Sequence, residues 1–270
     1  MGKIIAFTNQ KGGVGKTTTC VNMSAFMALM GKKVLLVDID PQGNATSGLG
    51  QDKSSEVNSI FDVIAGDVTI GQAIKSTKID NLDIIPANID LAGDEVSLVY
   101  MKDREKVLKN VLSKVVNTYD YITIDCPPAL GLLTVNALTA SNGVIIPIQC
   151  EFFALEGLSQ LMNTIRLVKK TGLNTNLNIE GVVLTMKDNR SNLGKQVADE
   201  ITKFFGNSLF KTSIPRNVRL AEAPSYGEPI YFYDKTCVGS EAYLALTEEY
   251  FKRNNISYKK INLKNKKGTK

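Results

Sequence analysis

A glycine-rich segment near the amino end constrains the fold more than any other feature of the chain. The segment Gln10–Thr18 follows the apolar run Ile4–Thr8, which is typical of a strand, and leads into Thr17–Met30, which is typical of a helix. Glycines let a backbone turn tightly with its N–H groups facing inward, and the amino end of a helix adds partial positive charge. The order strand, loop, helix therefore predicts a phosphate-binding loop over Lys11–Thr18.

Side chains at the end of this segment suit a bound triphosphate. We expect Lys16 to bridge the β- and γ-phosphates, the Thr17 hydroxyl to ligate Mg²⁺ directly, and the Thr18 hydroxyl to lie near the α-phosphate. The predicted ligands are therefore ATP and Mg²⁺. The predicted nucleotide contacts in the loop are Gly12, Gly13, Val14, Gly15, Lys16, Thr17 and Thr18.

The loop departs from the usual pattern at its first position. Gln10 stands where a glycine is expected, and a second lysine, Lys11, follows it. A lysine at the mouth of a phosphate site needs a negative partner. Lys11 could meet the γ-phosphate of its own site or, across an interface, that of a second subunit.

Short apolar runs alternate with helical stretches along the rest of the chain. The further predicted strands are Val34–Val37, Leu82–Pro86, Tyr121–Ile124, Val144–Ile148 and Glu180–Thr185. The further predicted helices are Asp103–Val116, Leu132–Ser141, Glu156–Lys170, Leu193–Phe205 and Glu241–Arg253. This alternation predicts an α/β fold with a mostly parallel, doubly wound sheet flanked by helices, the P-loop NTPase architecture, in a single domain over residues 1–253.

Three aspartates stand at the ends of predicted strands, where ligands bind in such sheets. Asp38 and Asp40 end the second strand, and Asp125 follows Tyr121–Ile124. Carboxylates beside a triphosphate repel it unless Mg²⁺ or lysine intervenes. We expect Asp125 to hold Mg²⁺ through water, with Asp38 as a further water-mediated contact. Each aspartate could instead cap the turn after its strand.

The composition limits the chemistry. The sequence has no histidine, which excludes Ser-His-Asp and Cys-His catalysis and histidine metal ligands. Its four cysteines form no C-x-x-C pair and are interpreted as thiols in a reducing cytoplasm. No apolar run approaches the ~20 residues of a transmembrane helix. Hydrolysis would be in-line attack by water, driven by positioning and charge neutralisation.

The net charge of +5 comes from the carboxyl end. Residues 252–270 hold eight Lys or Arg and no Asp or Glu, which leaves 24 basic and 27 acidic residues in the rest. Residues 254–270 are predicted to be a basic, flexible tail. Such a tail favours nucleic acid or another anionic surface, or serves only solubility.

Four sequence blocks resemble one protein family. K-G-G-V-G-K-T-T resembles the deviant Walker A loop of the ParA/MinD class of P-loop ATPases. V-L-L-V-D-I-D-P-Q-G-N-A-T-S-G-L-G, I-D-C-P-P-A-L-G-L-L-T-V-N-A-L and I-P-R-N-V-R-L-A-E-A-P-S-Y-G are similar to the chromosomal ParA subgroup, often called Soj. The resemblance spans residues 1 to about 250. It implies a slow ATPase that acts in DNA partitioning.

The resemblance also implies residue roles. Lys11 would act across a nucleotide-sandwich dimer on the partner's phosphates, so that Lys11, Lys16 and Asp40 form the catalytic set. Asp40 would orient and polarise the attacking water. Pro215 and Asn217 would lie beside the adenine.

Partners follow from the same resemblance. We expect an ATP-dependent homodimer that binds DNA without sequence preference, and a ParB-type DNA-binding protein that stimulates hydrolysis. Arg190 and Arg219 match DNA-binding arginines of Soj-like proteins, and Lys187 and Lys195 extend the basic cluster. The expected location is the cytoplasm, in association with the nucleoid.

Three other readings remain open at this point. A MinD-like membrane-associated positioning ATPase would need a carboxyl-terminal amphipathic helix. The apolar residues of the tail do not repeat at three and four, and this pattern argues against membrane binding. A nitrogenase-reductase relative would need cluster-binding cysteines, and Cys126 is more easily read as core. A non-enzymatic switch would bind nucleotide without turnover.

Overall fold

Seven strands form one sheet in the computed structural model, which describes residues 2–54, 57–88, 98–151, 154–187 and 192–263. The strands are β1 (Lys3–Phe7), β2 (Val34–Asp38), β3 (Lys75–Ser76), β4 (Leu82–Ile85), β5 (Tyr121–Asp125), β6 (Gly143–Gln149) and β7 (Asn178–Thr185). Their order is β3-β4-β2-β5-β1-β6-β7, and every neighbouring pair is parallel except β3 with β4. The prediction of a mostly parallel α/β sheet is confirmed.

Helices cover both faces of this sheet. In the described residues they are α1 (Lys16–Leu29), α2 (Asn44–Gly48), α3 (Ile60–Ala65), α4 (Ile70–Ala73), α5 (Val107–Ser113), α6 (Leu132–Ala140), α7 (Ala154–Lys170), α8 (Asn192–Phe205), α9 (Val218–Glu222), α10 (Ile230–Asp234) and α11 (Val238–Arg253). Short 3₁₀ turns occur at Arg104–Lys106, Gly206–Ser208 and Ala223–Tyr226.

Alternate strand residues face two different helix layers. Ile5 and Phe7 of β1 pack in a core cluster with α1 and α11, whereas Ile4 and Ala6 pack with α3, α5 and α6. The outer strands β6 and β7 pack against α7 and α8. Because both faces are covered, the strands are buried along nearly their whole length, which explains their continuous apolar runs.

The parallel register gathers the strand ends that matter for function. Asp38 at the end of β2 pairs with Asp125 at the end of β5, and Phe7 of β1 also pairs with Asp125. The loop that follows β1 therefore lies beside both aspartates. No helix within the described parts of the chain is long and apolar enough to cross a lipid bilayer.

The first part of the predicted tail lies against the domain. Ile256, Tyr258 and Ile261 are partly buried against the core cluster of α1 and α11, and Leu263 belongs to that cluster with 7% of its surface exposed. This stretch is attached because it carries an apolar residue at every second or third position. Residues 264–270 lie outside the described residues, and the domain boundary at 253 stays a prediction.

Candidate functional site

The glycine loop has the backbone form of an anion cradle. Gly13 and Gly15 have φ values of 73° and 81°, in the left-handed region that favours glycine. Helix α1 begins at Lys16, and no side chain caps its first N–H groups. Uncapped amides at a helix start are donors that a phosphate group satisfies.

Neighbouring strands hold the loop in place. The buried Thr185 hydroxyl at the end of β7 donates to the Val14 carbonyl at 2.7 Å. Asn9 accepts from the Lys11 amide at 3.0 Å and donates to the Pro147 carbonyl at 2.8 Å. The loop is therefore tied to both β6 and β7, which keeps its amides oriented before any ligand arrives.

Lys16 lies inside the loop with only 6% of its surface exposed. Its ammonium donates to the Lys11 carbonyl at 3.0 Å. Burial lowers the pKa of Lys16, and the nearby Asp125 carboxylate opposes that shift. A buried ammonium without an ion-pair partner within 4 Å in the described chain is stabilised further when an anion enters the loop.

Asp125 is the least satisfied polar group near the loop. It is fully buried, and neither carboxylate oxygen has a hydrogen-bond partner in the described part of the chain. Burial raises its pKa well above the usual value, the Asp38 carboxylate adds to the shift, and the nearby Thr17 hydroxyl and Lys16 ammonium oppose it. Orphaned carboxylate oxygens next to Thr17 fit the needs of Mg²⁺, which prefers oxygen ligands and bound water.

Asp125→Asn is expected to stabilise the ligand-free protein by about 1 to 3 kcal/mol at neutral pH, because it removes a carboxyl group whose charged form is disfavoured by burial more than it is favoured by Thr17 and Lys16. The raised folded-state pKa means that the folded protein binds the proton more tightly than the unfolded chain. The wild type therefore gains stability relative to the variant as the pH falls below the raised folded pKa toward the ordinary value of 3.8. The advantage of the variant should shrink over that window.

Thermal unfolding without nucleotide or metal, at several pH values, measures both effects. Asp67→Asn, at an exposed position, is the matched control and should change little. A variant less stable than the wild type at pH 7 would show that the Asp125 charge is already compensated.

Asp38 and Asp40 occupy different environments despite their spacing. Asp38 is fully buried and accepts from the Thr46 amide and hydroxyl, both at 2.8 Å, and from the Asp40 amide at 3.1 Å. Burial raises the pKa of Asp38 to about 6 in spite of these bonds. Its oxygens are largely used in fixing the turn after β2, so they are poorly placed to reach a metal except through water.

Asp40 faces the ligand side of that turn. One of its oxygens, Oδ1, accepts from the Gln42 amide at 3.0 Å. No hydrogen bond joins Oδ2 to another residue of the described chain, and Asp40 lines a cavity beside the loop. This arrangement leaves one carboxylate oxygen for water.

Lys11 is paired within its own chain. Its ammonium forms an ion pair with Glu151, which follows β6, and both side chains are partly exposed. Lys11 therefore has a negative partner in the monomer, at the rim rather than inside the loop. The sequence predicted only phosphate groups as partners of Lys11 and did not indicate Glu151.

A cavity of about 770 Å³ joins the loop to a distant part of the chain. Its lining includes Lys16, Thr17 and Asp40 at one end and Pro215 and Asn217 at the other. Asn217 caps α9, because its side chain accepts from the Arg219 amide at 2.9 Å. The structure thus brings the predicted phosphate and adenine residues to one cavity; their roles stay predictions.

Three of the four predicted DNA-binding residues lie in the described parts of the chain, and their surroundings differ. Lys195 is exposed on α8, and Lys187 is half-buried where its amide donates to the Ile214 carbonyl at 3.0 Å. Arg219 donates to Glu222 at 3.0 Å and lies 3.8 Å from Asp234. Arg190 lies outside the described residues.

Three residues of the site escaped sequence reasoning. They are Thr46, Glu151 and Thr185. Glu151 lies near the carboxyl end of a strand, as Asp40 and Asp125 do, so its position in the sequence could have indicated a place in the site. Thr46 and Thr185 act through contacts between distant segments, which no local pattern reveals.

The sequence was compared with protein families and with individual known proteins. The model of a family described as an AAA domain matches residues 2–179. The sporulation initiation inhibitor protein Soj of Bacillus subtilis (strain 168) is 61% identical over 249 residues, which is 92% of this chain and 98% of that protein. The chromosome partitioning protein ParA of Myxococcus xanthus (strain DK1622) is 50% identical over 253 residues, covering 94% of this chain and 89% of that protein.

Two solved structures of nucleotide-bound proteins share this fold. Cobyrinic acid a,c-diamide synthase from Mycobacterium smegmatis with a bound ATP analog and magnesium has a TM-score of 0.81 and 33% identity, covering 97% of this chain and 100% of the other. A putative plasmid partition protein from Borrelia burgdorferi B31 bound to AMPPNP has a TM-score of 0.79 and 27% identity, covering 94% and 100%.

Proposed function

Because the chain belongs to the ParA/Soj family of chromosome-partitioning ATPases, we propose that it is an ATP-driven switch whose dimeric form binds DNA. ATP and Mg²⁺ are the ligands of the site, as in the mycobacterial relative with a bound ATP analog and magnesium. One observation carries the proposal. The start of α1 and the buried Lys16 line one cavity, and Lys16 interacts with Asp125, whose carboxylate oxygens have no hydrogen-bond partner in the described residues.

The residues divide the work of hydrolysis between binding and orientation. The loop amides and Lys16 would hold the phosphates, while Thr17 would hold Mg²⁺ directly and Asp125 and Asp38 would hold it through water. When bound, Mg²⁺ would supply positive charge next to the phosphate oxygens. Asp40 keeps one oxygen on the Gln42 amide and turns the other toward the attacking water. Few groups act on the water, which fits slow turnover.

Dimerisation gives Lys11 its second role. In the monomer Lys11 is held by Glu151. When two ATP-loaded subunits meet, Lys11 exchanges Glu151 for the partner's phosphates, which carry more negative charge. This exchange makes the dimer depend on ATP. ADP lacks the γ-phosphate, so Lys11 would lose its ion pair with Glu151 without gaining an equally negative partner.

DNA binding is proposed to depend on this dimer. Of the predicted DNA contacts that the structure describes in one subunit, Lys195 is an exposed cation and Arg219 forms an ion pair with Glu222, which is too few free cations for tight phosphate binding at this site. Pairing two subunits doubles the basic surface. A ParB-type protein that stimulates hydrolysis would then release the DNA, and the chain would work in the cytoplasm on the nucleoid.

Three measurements on one sample test the proposal. The mass in solution should double with ATP and Mg²⁺ but not with ADP. Retardation of a random DNA duplex should appear under the same condition, and phosphate release should continue over many turnovers. A protein that stays monomeric with ATP, or releases no phosphate, would contradict the proposed switch.

Arg190→Glu is expected to weaken DNA binding at least about tenfold while ATP affinity stays unchanged, since a phosphate contact becomes a repulsion. Arg166→Glu on α7, an exposed arginine bonded only to Asn163 in the described chain, is the matched control. Fluorescence anisotropy of labelled duplex with ATP measures the effect. If the two variants had equal affinity for DNA, Arg190 would not be part of the DNA-binding surface.

A further inference from the structure

A second basic surface lies at the opposite end of the sheet from the nucleotide cavity. The amide of Lys259 donates to the Met30 carbonyl at 3.1 Å, which ties residues after α11 to the end of α1. The Tyr258 ring packs 5.4 Å from the Phe251 ring, and the Lys32 ammonium lies 6.0 Å over that same Phe251 ring. Two lysine-bearing segments more than 200 residues apart in sequence therefore meet at this surface.

The position of this surface follows from the parallel sheet. Lys32 and Lys33 immediately precede β2, so they lie at the amino ends of the strands, whereas the phosphate loop follows the carboxyl end of β1. Lys33, Lys259 and Lys260 are exposed, and Lys32 is partly exposed. We refer to Lys32, Lys33, Lys259 and Lys260 as the tail patch.

Few acidic groups balance the tail patch. Asp120 accepts from the Lys33 amide at 2.8 Å, and Glu248 pairs with Lys252 on the adjacent helix turn. From residue 252 onward the sequence has no acidic residue at all. The rest of the chain has a small excess of acidic residues, so this positive field is a local feature of the patch.

We propose that the tail patch binds the phosphate backbone of double-stranded DNA, as a second contact surface on each subunit. Exposed lysines carried by two segments that contact each other suit binding to phosphates without sequence preference. The choice of DNA as the anionic partner rests on the proposed function, whereas the patch itself is argued from the contacts and exposure of its lysines. Its residues are separate from Lys187, Arg190, Lys195 and Arg219.

The apolar residues of the tail favour DNA over a lipid surface. A membrane anchor needs a free apolar face beside its basic residues. Here Ile256, Tyr258 and Ile261 pack against the core cluster of α1 and α11, and Leu263 is buried in it. The lysines point outward from a segment whose apolar side chains are already used, which leaves charge as the means of binding.

The test is a triple variant of the full chain carrying Lys32→Gln, Lys259→Gln and Lys260→Gln. With ATP present, its affinity for random duplex DNA should fall about tenfold, and the slope of log affinity against log salt should become shallower by about 1 to 3. Its ATP affinity and its ATP hydrolysis without DNA should equal those of the wild type. The control triple Lys102→Gln, Lys109→Gln and Lys114→Gln changes the same charge at other exposed lysines.

Each other outcome has a defined meaning. Equal DNA affinity and salt slope in the two triple variants would overturn the tail patch while leaving the proposed function intact. If the tail variant kept its DNA affinity but lost co-sedimentation with phosphatidylglycerol vesicles, the patch would be a lipid surface instead. A wild type that binds no DNA with ATP would overturn both proposals.

Discussion

Lys16→Ala is expected to cause the largest loss of ATP affinity of any single substitution in the loop. Lys16 is buried in the loop, lines the cavity and donates at 3.0 Å to a carbonyl of the same loop. Removing one member of a buried charged pair costs about 2 to 5 kcal/mol, so the dissociation constant should rise roughly 30-fold to several thousand-fold. No other loop side chain replaces it, because Lys11 is held by Glu151 at the rim.

Binding of a fluorescent ATP analogue, with Mg²⁺ and at constant ionic strength, measures this loss. Lys109→Ala removes an exposed lysine of α5 and should bind as the wild type does. Thermal unfolding of the ligand-free variants separates lost affinity from lost structure. Burial lowers the pKa of Lys16, which shows that the folded protein disfavours its charged form. The ligand-free variant should therefore be at most about 1 kcal/mol less stable than the wild type. A folded Lys16→Ala variant with unchanged ATP affinity would refute the assignment of the loop.

The larger elements of this fold could be predicted because local patterns determine them. Strands such as β2 and β5 are buried on both faces and therefore read as unbroken apolar runs ending in aspartate. The strand, glycine loop and helix around Lys16 carry their own geometric signature. These two facts together place Asp38 and Asp125 at the same sheet edge, as the register confirms.

The short elements could not be predicted from periodicity. Helices α2, α4 and α9 have five residues or fewer, which is too short for an apolar face to repeat. The two-residue strand β3 exists only through its pairing with β4. Helix α3 did carry a usable signal, the capping box of Ser59 and Asp62.

The contacts that tune the site could not be predicted either, since they join distant segments. The bond from Thr185 to Val14 spans 171 residues, and the ion pair of Lys11 with Glu151 spans 140. Both depend on the order of strands in the sheet, in which β1 lies next to β6 and β6 next to β7. A sequence pattern predicts which residues end a strand, but the sheet order decides which of them meet.

Asp40→Ala is expected to lower the rate of ATP hydrolysis at least about 100-fold while ATP affinity stays within about threefold of the wild type. Asp40 lines the cavity with one oxygen on the Gln42 amide and the other without a partner in the described chain. Orienting and polarising the attacking water contributes typically about 10²- to 10⁴-fold to such a reaction. Binding should persist, because the loop amides and Lys16 hold the phosphates.

Blocked hydrolysis should also change the assembly. A variant that binds ATP but cannot cleave it remains in the ATP state, so dimers should accumulate with ATP and persist for many wild-type turnover times. Single-turnover phosphate release measures the chemical step, and mass in solution measures the dimer. Asp67→Ala, at an exposed position, is the control and should behave as the wild type.

A second substitution separates the charge of Asp40 from its structural bond. Asp40→Asn retains an oxygen for the Gln42 amide but loses the negative charge that polarises water. If the turn after β2 were the only role of Asp40, Asp40→Asn would hydrolyse ATP normally and only Asp40→Ala would fail. If the carboxylate acts on the water, both variants lose turnover and both keep ATP, because the positioning of the phosphates does not depend on this side chain.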